Sequence, residues 1–529
     1  MEITGGHLYK ARYLRAPSRK EENGLVLVLK SGASGLYAVL FVSNKSEGLD
    51  IGGGLFVSPQ AQAELAQEAF LEDAGAIAPA ALEAVLRARA ICAAQDCLAA
   101  RGPAQVRMSA SGKNIGSAEL SAMLEASLDM WLTAGRFHAQ FEAKLSSFFG
   151  AKGALAVNSG SSANLLAVAA LCSHRLGARR LRAGDEVITA AAAFPTTVAP
   201  LVQHGVVPVF ADIEPGTCNI KISQLEKCLS KQTKAVFLAH TLGNPFDAHA
   251  VAAFCKKHSL WLVEDNCDSL GSKLDGRLTG TFGHLATLSF YPAHHITTGE
   301  GGALIVNDAE LLDAALSLRD WGRDCKCPPG QDGVCGQRFS KKLGRLPAGY
   351  DHKYTYSHLG YNLKMTDWQA ALGLVQLDRL AVFTARRKRN FEQLNRSLGA
   401  YGQHLVLPVA LPEADPAWFG YPLTVRAGAP FTREDLTGYL EENGIGTRTL
   451  FGGNLLRQPA FTEDEIKLRI LDSGPLLSNR MDDGHYALLP GTEAAMNGTF
   501  WIGLWAGLDD KHMGAMAGVF REFFRSRGA

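Results

Sequence analysis

The chain has 529 residues, 47% hydrophobic and 20% charged, with a formal net charge of +1. At roughly 150 residues per domain there is room for more than one core, and the balanced charge gives no global attraction to nucleic acid or an anionic membrane. The opening "MEITGGHLYKARYLR" lacks the apolar centre of a signal peptide, so the expected location is cytoplasmic; there the ten cysteines point to metal or redox chemistry, not a disulfide framework.

Residues 1–107 differ in pattern from the rest of the chain. The run "GLVLVLKSGASGLYAVLFV" is interrupted by Lys30, Ser and Gly, so it predicts strands over 25–30 and 36–42 and not a membrane span. An Ala-rich stretch over 59–100 favours helix, and Pro79 is expected to divide it in two, with Cys92 and Cys97 as helix core. No chemical motif stands out here, and the segment reads as an accessory α+β extension.

From about residue 108 to 388 the pattern is α/β. Short apolar runs such as "GALAV", "KAVFLA" and "LWLVED" alternate with helix-favouring segments, which predicts a mostly parallel sheet covered on both faces. Residues 389–529 carry an amphipathic helix, a strand around "YPLTV" and a terminal helix, and read as a smaller α+β domain. Ligands of such sheets collect at the carboxyl ends of the strands, so the residues just after each apolar run matter most.

"NSGSSANLL" places Gly160, Ser161 and Ser162 at a helix start, where free N–H groups and hydroxyls suit a phosphate; a simple Ser-rich N-cap is the competing reading. Phe194 in "AAAFPTT" offers a ring to stack on a flat cofactor, or a core side chain. "LVEDNCD" ends a buried run with Asp265 and Asp268, able to hold a cationic ring nitrogen or to sit in a solvated loop. Together, a phosphate nest, a stacking ring and a carboxylate are what pyridoxal phosphate needs.

"EDNCDSLGS", "SFYPAHHITTGEGGALIV" and "GYNLKMTDWQAALGLVQL" resemble the signatures of the sugar aminotransferase family that acts on nucleotide-linked keto-sugars, the DegT/DnrJ/EryC1 group of fold type I pyridoxal phosphate enzymes. The resemblance covers residues from about 110 to the C-terminus. In that family a lysine that tethers the cofactor falls five residues after the Ser of the "SF" pair. Counting from Ser289 gives position 294, and this chain has His294 there. An imidazole makes no covalent tether but moves a proton near neutral pH. The resemblance therefore implies non-covalent pyridoxamine or pyridoxal phosphate, with Ser289 in the cofactor site, His294 as catalytic base and His295 structural. His240 and Asn244 in "HTLGN" are expected to line the site, and Arg448 to meet substrate phosphates.

"DCKCPPGQDGVCG" adds Cys325, Cys327 and Cys335 in a C-x-C-x7-C spacing, with Cys267 separated from Cys325 by 57 residues (325 − 267 − 1). Four thiolates hold either zinc or a [2Fe–2S] cluster, and spacing alone does not choose. The arrangement is similar to the iron–sulfur subgroup of the family, the nucleotide-sugar 3-dehydrases. That likeness implies C3 deoxygenation of a nucleotide-linked 4-keto-6-deoxyhexose, CDP-linked as the first expectation, in 3,6-dideoxyhexose biosynthesis. It also implies a separate NAD(P)H-dependent flavin and iron–sulfur reductase and a homodimer. The alternatives are a dTDP- or GDP-linked sugar 3-dehydratase and a non-catalytic, zinc-stabilised relative.

Overall fold

The computed structural model describes residues 107–472, 476–478 and 481–528, together with six strands and one helix between residues 7 and 100. The chain divides into two compact units, one of residues 1–104 with 116–130, the other of residues 105–115 with 131–529.

In the first unit, six antiparallel strands lie in the order Leu49–Asp50, Phe56–Gln62, Tyr37–Ser43, Lys20–Lys30, His7–Arg15, Phe70–Ala76. Helices Pro79–Ala100 and Ser117–Leu128 belong to the same unit, tied by Arg87, which bonds Glu125 and Asp129 at 3.2 and 2.9 Å. Two expectations are corrected. Part of the Ala-rich stretch forms strands, and Pro79 opens a single helix instead of dividing two; at the first turn its missing N–H leaves no bond unmade. Cys97 is exposed and Cys92 half-buried, so neither is core.

The second unit is built on an eight-stranded sheet in the order Arg469–Ile470, Val207–Ala211, Glu186–Ala190, Thr233–Ala239, Trp261–Asp265, Leu285–Ser289, Gly302–Val306, Gly153–Val157. Every neighbouring pair is parallel except the two made by Gly302–Val306. Alternation along the strands sorts side chains onto two faces. Val187, Ala235, Phe237, Trp261 and Val263 join one buried cluster; Ile188, Val236, Leu238 and Leu262 join the other. Both faces are therefore covered, which explains why these strands read as unbroken apolar runs.

A four-stranded antiparallel sheet (Leu405–Val406, Gly420–Val425, Thr499–Gly503, Thr447–Thr449) forms a further core with helices Arg433–Glu442 and Asp510–Ser526. The 32-residue helix Asp367–Leu398 feeds Leu394 and Leu398 into that core and runs unbroken past residue 388. Among the described residues no helix is long and apolar enough to cross a membrane.

Candidate active site

The carboxyl ends of the parallel strands open into a cavity of about 600 Å³. The strand Gly153–Val157 delivers Ser159, which caps the helix Gly160–Leu171 by accepting the Ser162 N–H at 3.0 Å. A Cβ on Gly160 would stand 2.5 Å from the Ser289 Cβ and 3.1 Å from the Cys267 Sγ, so only glycine lets this helix start pack against the strand end Leu285–Ser289. Ser159, Gly160, Ser161 and Ser289 line the cavity, and Ser161 Oγ donates to Thr196 Oγ1 at 3.1 Å. Ser162 does not line it: its hydroxyl donates to Asn158 Oδ1 at 2.6 Å and accepts from Ser159 Oγ at 3.0 Å, so the hydroxyl expected at a phosphate is turned to its own chain.

Asp265 ends the strand Trp261–Asp265 with its carboxylate held on both oxygens. Asn164 Nδ2 and Thr197 Oγ1 donate to Oδ2 at 3.1 and 2.7 Å; the Cys267 N–H and the Thr287 hydroxyl donate to Oδ1 at 3.3 and 3.4 Å. Phe194, 50% exposed before the helix Pro195–Gln203, lines the same cavity and meets Phe451 edge-on, centroids 6.4 Å apart. Aromatic wall, fixed carboxylate and helix N-terminus fit a flat phosphorylated cofactor with a cationic ring nitrogen.

His294 lines the cavity with its Nδ1 3.5 Å from Asp268 Oδ1 and its ring 5.2 Å from that of Phe419. Burial, then the Arg387 guanidinium, pushes its pKa down to about 3, so the imidazole is neutral. Burial, then the Asp265 charge, pushes Asp268 up to about 7, and Asp268 Oδ2 has no hydrogen-bond partner among the described residues. Asp268 thus faces His294 in addition to lining the cofactor cavity. His295 is buried, with Nε2 bonded to the Ala417 carbonyl, in agreement with a structural role.

Two expected lining residues are elsewhere. His240 is fully buried, bonded through Nε2 to Glu264 Oε2 at 2.9 Å and stacked on Phe246 at 4.1 Å. Asn244 is also buried, its amide spent on the carbonyls of Thr217 and Val409 at 3.1 and 2.9 Å. Arg448 does line the cavity, where the sequence left Tyr291, Glu300, Phe419, Phe451 and Trp501 unremarked. Those last three lie more than 100 residues beyond His294, with no spacing rule tying them to it. Asn164 was findable: one helical turn after Gly160, it shares that residue's face.

Cys325, Cys327 and Cys335 surround a second, much smaller cavity with His352, whose Nδ1 is 3.9 Å from Cys335 Sγ and whose Nε2 is 2.8 Å from Asp324. Cys267 instead lines the large cavity. The expected four-thiolate ligand shell is therefore divided between two places, and among the described residues no three His, Cys, Asp or Glu side chains form a metal-holding group. Of the remaining cysteines, Cys218, Cys228 and Cys255 are buried, while Cys172 is only half-buried.

A sequence profile of the DegT/DnrJ/EryC1/StrS aminotransferase family matches residues 113–517. The chain belongs to that family. It is 50% identical over 414 residues to the lipopolysaccharide biosynthesis protein RfbH of Salmonella typhimurium (strain LT2), covering 78% of this chain and 91% of the relative. It is 49% identical over 413 residues to a dTDP-4-dehydro-2,6-dideoxy-D-glucose 3-dehydratase of Saccharopolyspora spinosa, covering 78% and 86%. Among solved structures, a GDP-4-keto-6-deoxymannose-3-dehydratase variant with bound GDP-perosamine superposes with a TM-score of 0.68 at 25% identity, over 78% of this chain and 99% of that one.

Proposed function

We propose that the chain is a pyridoxamine phosphate-dependent 3-dehydratase of a nucleotide-linked 4-keto-6-deoxyhexose. The observation that carries this reading is the lining of the large cavity: Asp265, Phe194 and the Ser159–Ser161 helix start are present, no lysine is among the lining residues, and His294 stands where the family's tethering lysine is expected. Two relatives named as sugar 3-dehydratases support it.

When bound, pyridoxamine phosphate supplies an amine for the sugar ketone and a ring that takes up electron density. The residues divide the remaining work. Asp265, fixed by four donors, holds the ring nitrogen in its charged form. The N-terminus at Ser159–Ser161 takes the phosphate, and Phe194 stacks on the ring. His294, held neutral by burial, accepts and returns a proton in the cavity, with Asp268 3.5 Å from its Nδ1. Arg448 binds substrate phosphate. Residues 108–388 carry this cofactor site, and 389–529 close the cavity with Phe419, Arg448, Phe451 and Trp501.

The best candidate sugar carrier is CDP, from the resemblance; dTDP is the second reading, favoured by the relative at 49% identity. A [2Fe–2S] centre, a separate NAD(P)H-dependent reductase and a homodimer belong to the same proposal. The cysteine spacing and the three-cysteine cavity support the cluster, while Cys267 in the other cavity does not fit a four-thiolate shell within one chain. Iron and acid-labile sulfide in protein purified without air test it; zinc instead, or no metal, removes it.

The function itself is tested by anaerobic incubation with pyridoxamine phosphate and CDP-, dTDP- or GDP-linked 4-keto-6-deoxyhexose, with and without a chemical reductant. Loss of the C3 hydroxyl from one of the sugars is the expected result. No loss from any of them overturns the reading.

A further inference from the structure

Arg387 lies on the helix Asp367–Leu398, is 2% exposed, and makes no ion pair among the described residues. The Asp268 carboxylate acts on this guanidinium electrostatically but forms no direct ion pair with it, so burial is costly, and an apolar side chain of similar length would serve the core better. Nη1 and Nη2 donate to main chain of two separate segments, while Nε has no hydrogen-bond partner among the described residues. Nη2 donates to the His294 carbonyl at 3.3 Å; Nη1 donates to the Trp418 and Phe419 carbonyls at 3.3 and 2.8 Å. The guanidinium also lies 5.9 Å from the centroid of the Phe419 ring, the ring that packs against the His294 imidazole and, at 5.3 Å, against Trp501. One planar fork therefore holds both the backbone that carries the imidazole and the backbone of the residue that packs against it. A lysine, a single point donor, has no such reach across two strands of chain.

We propose that Arg387 is a positioning residue for the reaction: it clamps the 294 loop to residues 418–419 and so fixes where the His294 imidazole stands in the cavity. The clamp explains a buried cation that packing alone does not justify. Its geometry matches the need, since displacing a proton-transferring group by about 1 Å lowers turnover by as much as about 100-fold without changing what the enzyme binds. The inference rests on the proton-transfer role proposed for His294.

Two readouts separate the inference from that role. The first is independent of turnover: the His294 ring resonance in the cofactor-loaded protein, assigned by its disappearance in His294→Asn. The second is the split between kcat and KM. In Arg387→Met we expect the His294 resonance to shift or broaden, kcat to fall between about 10- and 100-fold, and KM to stay within about threefold. In Arg387→Ala, added guanidinium ion is expected to restore both the resonance and part of kcat. If neither variant folds, Arg387→Lys keeps the charge and is expected to show the same split. An unmoved His294 resonance in a folded variant overturns the clamp, whatever happens to kcat. Failure of the wild-type protein to dehydrate any sugar overturns the function and leaves the resonance test standing.

Discussion

His294 Nδ1 lies 3.5 Å from Asp268 Oδ1, and burial drives the two groups toward the same condition. The imidazole is held neutral and the carboxyl is raised to about 7, so at neutral pH the carboxyl is only partly ionised beside an uncharged ring. A neutral ring has a lone pair free to accept a proton from a bound group, and among the described residues no lysine lines the cavity.

Replacing the imidazole separates tether from base. His294→Lys is expected to acquire a covalently held pyridoxal phosphate, visible as an absorption band that survives gel filtration, and to lose dehydration. His294→Asn is expected to bind cofactor reversibly and to lose at least about 100-fold in kcat, the usual scale of a general base. Full dehydration by either variant removes His294 from that role.

Asp265→Asn keeps the shape of the site but not the charge that faces the ring nitrogen. Cofactor binding should persist while kcat falls by about 100-fold or more, as for other lost contacts to developing charge. Stopped-flow kinetics alongside equilibrium binding checks the split.

The two serines at the helix start are expected to behave differently. Ser161→Ala, at the cavity wall, should weaken cofactor affinity. Ser162→Ala, whose hydroxyl bonds Asn158, should leave affinity unchanged and cost about 1 kcal/mol of stability. Titration with cofactor and denaturant unfolding measure the two effects.

His240→Leu should likewise lower stability, by about 1–3 kcal/mol, with KM unchanged, because it strips a buried partner from Glu264 outside the cavity. Denaturant unfolding and steady-state kinetics together check it, and a raised KM would return His240 to the substrate site.

Stability should also fall with acid through a group remote from the cavity. Burial, then Arg175 and His174, pushes the His358 pKa from 6.5 to about 4, and its ring is held by Ser173 and Ser317 at 2.8 and 2.9 Å. Between those two pH values the unfolded chain binds a proton that the folded chain does not, so stability is full above about 6.5 and is lost as pH falls toward 4. His358→Gln should flatten part of the Tm-against-pH slope in that window. His138, His284, His294 and His295 shift in the same direction, so a residual slope stays.

The sheet was legible because its strands are buried on both faces, and continuous apolar runs are the mark such burial leaves. Asp265, Phe194, Gly160 and Ser161 were legible because strand ends and helix starts are local features, whereas His294 stood out through the family resemblance, by its count from Ser289. His240 and Asn244 follow a strand end too, yet they turn inward to satisfy Glu264 and the Thr217 and Val409 carbonyls, partners no local pattern reveals. Trp501 lies in a second sheet and Phe419 and Phe451 flank its strands, so their approach depends on tertiary packing alone. In the N-terminal unit, Ala-rich composition favoured helix where strand pairing prevailed over intrinsic preference.

The most direct measurement uses a nucleotide-linked 4-keto-6-deoxyhexose carrying oxygen-18 at C3, incubated without air with the protein and pyridoxamine phosphate and followed by mass spectrometry. The account expects the label to pass into water with the wild-type protein, and to stay on the sugar when pyridoxamine phosphate is omitted or when His294→Asn is used. Retention of the label by the fully loaded wild-type protein, with each of the CDP-, dTDP- and GDP-linked sugars, would contradict it.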